Sequence, residues 1–119
     1  MHVSLAEFDQ ARQRYAAALP IYQEVHARLG EATCYLGLGR AGDSADYFDR
    51  AIELHTAIRS WDGLAVDYYY YGLWRRDNGD TRSAVTSLSQ ARDLWLQLGQ
   101  QSYAETAQQQ ITALETTGP

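Results

Sequence analysis

Residues Gly63–Ala91, GLAVDYYYYGLWRRDNGDTRSAVTSLSQA, hold the pattern that decides the fold. Asn78-Gly79-Asp80 is a tight-turn sequence, because glycine adopts the left-handed conformation that ends a helix and aspartate caps the helix that follows. Apolar residues at helical spacing lie on both sides of this turn. The stretch therefore predicts two antiparallel helices, at 64–77 and 81–98.

The sequence before this pair begins with a long helical pattern. Ser4 followed by Glu7 is a capping box, and apolar residues then recur at helical spacing. We expect a first helix over 4–29, ended by Gly30 because glycine tolerates a left-handed stop. Pro20 removes one backbone hydrogen bond and should kink or split that helix.

Shorter helices complete the chain. Asp43 or Ser44 can cap the third of them, and Trp61-Asp62-Gly63 is expected to break the chain before the central pair. These helices are predicted at 31–41, 44–60 and 101–115. No stretch alternates with the period of two that marks a strand. The sequence thus predicts a single all-α domain over 1–119, with five helices, or six when the short 31–41 segment is counted.

Composition excludes several classes of protein. The chain is 45% hydrophobic and 21% charged, as in a soluble globular protein. Its net charge of −5, without a lysine, argues against binding nucleic acid. The single cysteine, Cys34, excludes an intrachain disulfide and a cysteine-based zinc site. No apolar run approaches the roughly 20 residues of a membrane span, so we expect a cytoplasmic protein that does not enter the membrane.

One spacing recurs three times: a small residue, a large apolar residue four positions later, and a small residue after three more. It occurs at Ala11-Tyr15-Ala18, Ser44-Phe48-Ala51 and Ala84-Leu88-Ala91. These offsets lie on one helical face, where small residues let a neighbouring helix approach and the large residue fills the remaining space. The recurrence predicts helix pairs that stack side by side.

Together with Tyr68, Tyr71-Gly72 and Gly79, this spacing resembles the tetratricopeptide repeat, whose helices read W-x2-L-G-x2-Y and A-x3-F-x2-A. Arg75 departs from that pattern at its tyrosine position. The resemblance covers about residues 6–115 and looks like the longer variant of roughly 40 residues per repeat found in bacterial multidomain regulators. It implies about two and a half repeats stacked as a short superhelix, whose concave groove binds a protein or peptide segment.

The resemblance also implies which residues contact the partner. Tyr69 falls on the concave face of the central unit and Tyr70 at its edge, and tyrosine and arginine are favoured at binding hot spots. The alternative is that both tyrosines cover the neighbouring helix. The expected partner-binding residues are Thr33, Leu36, Val66, Tyr69, Tyr70, Leu73, Arg76, Thr106 and Gln109.

Motifs that suggest chemistry have simpler structural interpretations. Gly37-Leu-Gly39-Arg-Ala-Gly42 matches G-x-G-x-x-G, but a dinucleotide site needs a strand before it and a surrounding βαβ unit. Asp77-Asn78-Gly79-Asp80 lacks the alternating oxygen ligands and final glutamate of a calcium loop. The three histidines occur singly, and Cys34 is expected to be a small core residue. We expect no cofactor, no metal and no catalytic residue.

The sequence therefore predicts a non-catalytic interaction scaffold, part of a larger regulator. One alternative is a domain that senses a peptide or small ligand, with Leu36–Gly42 as its hinge. Another is a structural module that self-assembles through the first helix. In that helix we expect an apolar side without a partner in this chain, formed by Phe8, Tyr15, Tyr22 and Leu29.

Overall fold

The computed structural model describes residues 5–42 and 44–116, which form six α-helices and contain no strand. The helices are α1 (Leu5–Glu24), α2 (Arg28–Arg40), α3 (Ala45–Ala57), α4 (Trp61–Asp77), α5 (Thr81–Gln97) and α6 (Gln101–Thr116). The all-α prediction is confirmed, and the short second helix is a full element. None of these helices combines the length and apolar content needed to cross a membrane.

The chain divides into two compact units, Met1–Arg59 and Ser60–Pro119. The first contains α1 to α3 and the second contains α4 to α6. That residues 1–119 act as one domain stays a prediction.

The central turn has the predicted form. α4 ends at Asp77, Gly79 takes a φ of 82°, and α5 begins at Thr81. The Asp80 side chain accepts a hydrogen bond of 3.2 Å from the Ser83 backbone N–H, which caps α5. The prediction of two antiparallel helices around this turn is confirmed.

The predicted end of the first helix is wrong. α1 stops at Glu24, and the left-handed residue of the turn is His26, with φ 58°. Gly30 lies inside α2, where a Cβ would come within 2.4 Å of the Tyr22 ring. This glycine therefore permits close packing rather than a turn. Pro20 lies within α1, which continues past it instead of splitting.

The predicted break at Trp61–Gly63 is wrong as well. These residues form the first turn of α4, and the left-handed turn residue before them is Arg59, with φ 57°. Ser44 caps α3 as expected, its hydroxyl accepting from the Asp46 backbone N–H at 3.1 Å. The proposed caps Ser4 and Asp43 lie outside the described residues.

In the first unit, aromatic side chains of α1 and α3 lie against glycines of α2. Tyr15 covers Gly37 so closely that a Cβ added to Gly37 would be 2.2 Å from the ring. A Cβ added to Gly39 would be 3.0 Å from the Phe48 ring. Tyr15 and Tyr22 therefore have partners within this chain, contrary to the expectation of an unpartnered side. Both glycines lie within a helix, so their match to the dinucleotide motif is accidental.

In the second unit, α5 packs against both α4 and α6. Small residues dominate the contact: the buried cluster consists of Ala65, Ala91, Trp95, Ala104 and Ala107. Gly72 of α4 lies against Leu88 of α5, which is fully buried. Beside it, the Arg75 guanidinium lies 3.8 Å from the Tyr71 ring centroid and donates to the buried Ser87 hydroxyl at 2.8 Å. The short side chains bring the three helices close together.

Candidate functional site

A row of aromatic rings crosses the three helices of the second unit. Tyr70 and Tyr69 of α4 meet edge to face with centroids 5.4 Å apart, and Tyr69 lies 5.6 Å from Trp95 of α5. Trp95 in turn stacks on Tyr103 of α6 at 5.3 Å. These separations are typical of favourable aromatic pairs. We call Tyr70, Tyr69, Trp95 and Tyr103 the aromatic row.

The row is buried at its middle and exposed at its α6 end. Trp95 continues the Ala84-Leu88-Ala91 face of α5, which predicts a core position, and it is 6% exposed. The helical spacing of Tyr103, Ala107, Ile111 and Leu114 predicts that they share one face of α6, yet Tyr103 is 57% exposed. Ala104 takes that buried position instead, which turns Tyr103 to the edge of the helix. The exposed Tyr103 ring thus stacks on the buried Trp95 ring.

An open cleft of about 290 Å³ lies at this end of the row. Its walls come from the start of α4, the end of α5 and the start of α6. The lining residues are Asp62, Val66, Trp95, Gln100 and Tyr103. Asp62 is the charged group among them, so the cleft combines two aromatic rings with one carboxylate.

A polar bridge joins α4 to α6 at the other end of the second unit. The Arg76 Nη1 donates to Gln110 Oε1 at 2.9 Å, and its Nε donates to Asp77 Oδ1 at 3.0 Å. Burial raises the pKa of Tyr69, and neighbouring Tyr70 adds to the rise, while Arg76 and a hydrogen bond with the Gln110 side chain act against it. Because these groups already bind one another, this end offers fewer open contacts than the cleft.

The structure brings together some of the sequence-predicted site residues. Val66 and Tyr69 are half-buried and pack against the core cluster. Tyr70, Leu73 and Arg76 are half-buried on the same helix. The alternative interpretation, that Tyr69 covers a neighbouring helix, describes its position well.

The other predicted residues are not members of the aromatic row and do not line the cleft. Thr106 and Gln109 are exposed on α6, and the neighbouring Gln110 is the residue that reaches α4. Thr33 and Leu36 belong to α2 in the first unit, where the exposed Thr33 hydroxyl donates to the Leu29 carbonyl at 2.9 Å.

Sequence reasoning missed the cleft residues Asp62, Gln100 and Tyr103, and also Gln110. The sequence holds one signal for two of these residues, Tyr103 and Gln110. Tyr103 and Gln110 are seven residues apart, which places them on one helical face, just as Tyr69 and Arg76 are seven apart on α4. Matching those two pairs indicates Gln110 as a residue of α6 that reaches α4.

The residues whose pKa values are shifted do not line the cleft. Burial raises the pKa of the Cys34 thiol, with a smaller contribution from Glu31, so this cysteine is a protonated core residue of the first unit. Within residues 5–42 and 44–116, no cluster of three or more histidine, cysteine or acidic side chains could hold a metal ion.

Comparison with known families gives one match, to the second unit. Residues 74–119 are similar to the Sll0103-like, C-terminal alpha-helical domain. The match begins near the end of α4 and continues through α5 and α6, which is less than half of the chain. Searches of the curated proteins and of the solved structures found no significant match.

The resemblance to the tetratricopeptide repeat is therefore wrong, because the matching family is a different one. The small-large-small spacing has a more general physical cause. Ala84, Leu88 and Ala91 are fully buried, and they let α5 approach its neighbours closely. Close approach of packed helices requires small residues in many all-helical folds, so the spacing indicates helix packing and not one family.

Proposed function

We propose that this chain is a non-catalytic binding module and that its second unit holds a protein segment against the aromatic row. The observation that carries the proposal is the exposed Tyr103 ring, stacked at 5.3 Å on the buried Trp95 beside an open cleft. A large ring that is already held in place loses little conformational entropy when a partner covers it. Exposed aromatic side chains of this kind are typical binding hot spots.

The shape of the surface favours a polypeptide over a small molecule. At about 290 Å³ the cleft falls just below the range of ligand pockets, roughly 300–1,000 Å³. It continues into rings that span three helices, which suits a segment lying across them. The net charge of −5 disfavours nucleic acid. The single cysteine, buried in the first unit, fits a reducing, cytoplasmic compartment.

The test begins with a random peptide library displayed on phage and selected on the whole chain. We expect bound peptides to shift the NMR signals of the Trp95 indole and of Tyr103. Tyr103→Ala should raise the dissociation constant at least tenfold, since hot-spot truncations cost about 2 kcal/mol or more. Tyr103→Phe keeps the ring and should bind nearly as well as the wild type.

Thr116→Ala is the matched control, because Thr116 is exposed at the far end of the same helix and does not line the cleft. It should leave the dissociation constant unchanged. Failure to select any peptide that depends on Tyr103 would overturn the proposed function.

A second candidate is self-association, which a separate observation favours. Ile21, Val25 and Leu29 are 62%, 64% and 57% exposed around the turn from α1 to α2. Exposed apolar side chains grouped in this way are a common mark of interfaces. The sensing alternative gains less support, because the expected hinge at Leu36–Gly42 contains Gly37 and Gly39, which lie in α2 beneath Tyr15 and Phe48.

A further inference from the structure

We propose that the cleft beside Tyr103 receives a basic side chain, arginine above all, from the segment that the second unit binds. This inference rests on the proposed function and specifies the chemistry of its partner. The cation would lie against the Tyr103 and Trp95 rings and face the Asp62 carboxylate.

The carboxylate of Asp62 has no hydrogen bond or ion pair with any residue that the structure describes, and the residue is exposed. The basic groups of the second unit contact other residues. Arg75 binds Ser87, Arg76 binds Gln110, and Arg92 binds Gln108. Arg82 lies in the first turn of α5, at the opposite end of that helix from Trp95. Within this unit, Asp62 is thus a negative charge at the cleft that no arginine neutralises.

Helix dipoles leave this end of the unit negative. α4 and α6 begin here and carry about half a positive charge each, while α5 ends here and carries about half a negative charge. Asp62 adds a full negative charge in the first turn of α4. The sum is negative, so the cleft repels an acidic group and attracts a basic one.

The two rings select the kind of cation. Aromatic faces attract cations within about 6 Å of the ring centroid, and arginine is the more frequent partner. A guanidinium is planar, stacks on aromatic rings and can bind a carboxylate with two hydrogen bonds. An ammonium lacks that plane, so we expect lysine to bind more weakly. A neutral side chain would leave the Asp62 carboxylate without a partner.

The first experiment uses N-acetyl-arginine amide as the probe, titrated at millimolar concentration into the isotope-labelled whole chain. We expect NMR shifts at the Trp95 indole and Tyr103. N-acetyl-citrulline amide, which has the same shape without the charge, should give smaller shifts. Asp62→Asn should abolish the difference between the two probes. Glu115→Gln removes one negative charge at the far end of α6 and should preserve it.

Three results would overturn the inference. The arginine and citrulline probes could give equal NMR shifts, or neither ring could shift. The difference between the two probes could also persist in Asp62→Asn. Circular dichroism of both variants tests whether the helices remain intact. This control is needed because Asp62→Asn also removes a charge that is favourable in the first turn of a helix.

The second experiment separates this inference from the proposed function. Among displayed peptides that depend on Tyr103, arginine should be enriched, and Asp62→Asn should weaken their binding about threefold to fivefold, as expected for an exposed ion pair. The selected peptides could instead bind in a way that depends on Tyr103, lack basic residues and bind Asp62→Asn as tightly as the wild type. That result would overturn the inference but would not contradict the proposed function. If no peptide depends on Tyr103, the proposed function fails, and the inference that rests on it fails with it.

Discussion

Gly72 shows how a single residue sets the distance between α4 and α5. A Cβ at this position would lie 2.7 Å from Leu88 Cγ and 3.2 Å from the Ala84 carbonyl oxygen. Cγ is the branch atom of a fully buried leucine, so it cannot swing aside. Overpacking of this kind costs about 1–3 kcal/mol, and alanine regains roughly 1 kcal/mol over glycine in helix propensity. Because Leu88 Cγ cannot move away, we expect Gly72→Ala to lower the free energy of unfolding by about 1–2 kcal/mol.

Urea denaturation measures the effect, with Gly79→Asn as the control. Gly79 has a φ of 82° and nothing near an added Cβ. Asparagine tolerates the left-handed conformation better than other residues with a side chain, so this variant should unfold close to the wild type. A Gly72→Ala protein that needs as much urea as the wild type, or more, would mean that α4 and α5 do not approach as described.

Gly79 and Gly30 show why the helix boundaries are only partly predictable from the sequence. Glycine serves either a left-handed turn or a close approach, and the glycine alone does not show which of the two applies. At Gly79 the neighbouring Asn78 and Asp80 resolved the ambiguity, and the turn was predicted correctly. Gly30 instead packs against Tyr22, and the left-handed turn residue is His26, whose neighbours Val25 and Ala27 do not mark a turn.

At the scale of the helix, the cap of α5 makes stability depend on pH. Hydrogen bonds from the Ser83 hydroxyl, and then from its backbone N–H, lower the pKa of Asp80 below its ordinary value of 3.8. A carboxylate with a depressed pKa stabilises the folded state above its unfolded pKa, and this contribution is lost as the pH falls through the folded value. We therefore expect the melting temperature of the wild type to fall relative to that of Asp80→Asn as the pH drops from about 5 to about 2.

Thermal unfolding followed by circular dichroism gives the comparison. Asp80→Asn and Asp80→Ser both keep a capping oxygen that does not titrate in this range, so both should show the same relative gain in acid. Asp80→Ala has no cap and should melt below the wild type at neutral pH. A constant difference between wild type and Asp80→Asn from pH 5 to pH 2 would show that this cap is not linked to the acid response.

The helices also show how far the site could be predicted. The spacing of α5 placed Trp95 in the core, because Ala84, Leu88, Ala91 and Trp95 share one strongly apolar face. α6 is rich in small and polar residues, so its buried face is poorly marked. Tyr103 shares a helical spacing with Ala107 and Ile111, yet it is exposed and Ala104 is buried in its place. The cleft needs the ends of three helices to meet, which no single helical pattern encodes.

At the scale of the whole molecule, net charge separates the two proposed kinds of binding. Two copies of a chain with charge −5 repel each other, and salt screens that repulsion. Self-association through Ile21, Val25 and Leu29 should therefore strengthen as salt is added. Binding of a basic peptide in the cleft is an attraction between opposite charges and should weaken with salt.

Sedimentation velocity at high micromolar concentration, in low and in high salt, tests the self-association. We expect the wild type to form a larger species as salt rises. Val25→Glu should remain monomeric at both salt concentrations, because it places a charge in the middle of the apolar group. Tyr103→Ala should associate like the wild type, since the cleft is not involved. A wild type that stays monomeric in high salt would contradict self-association, and a Val25→Glu protein that associates equally well would show that the interface lies elsewhere.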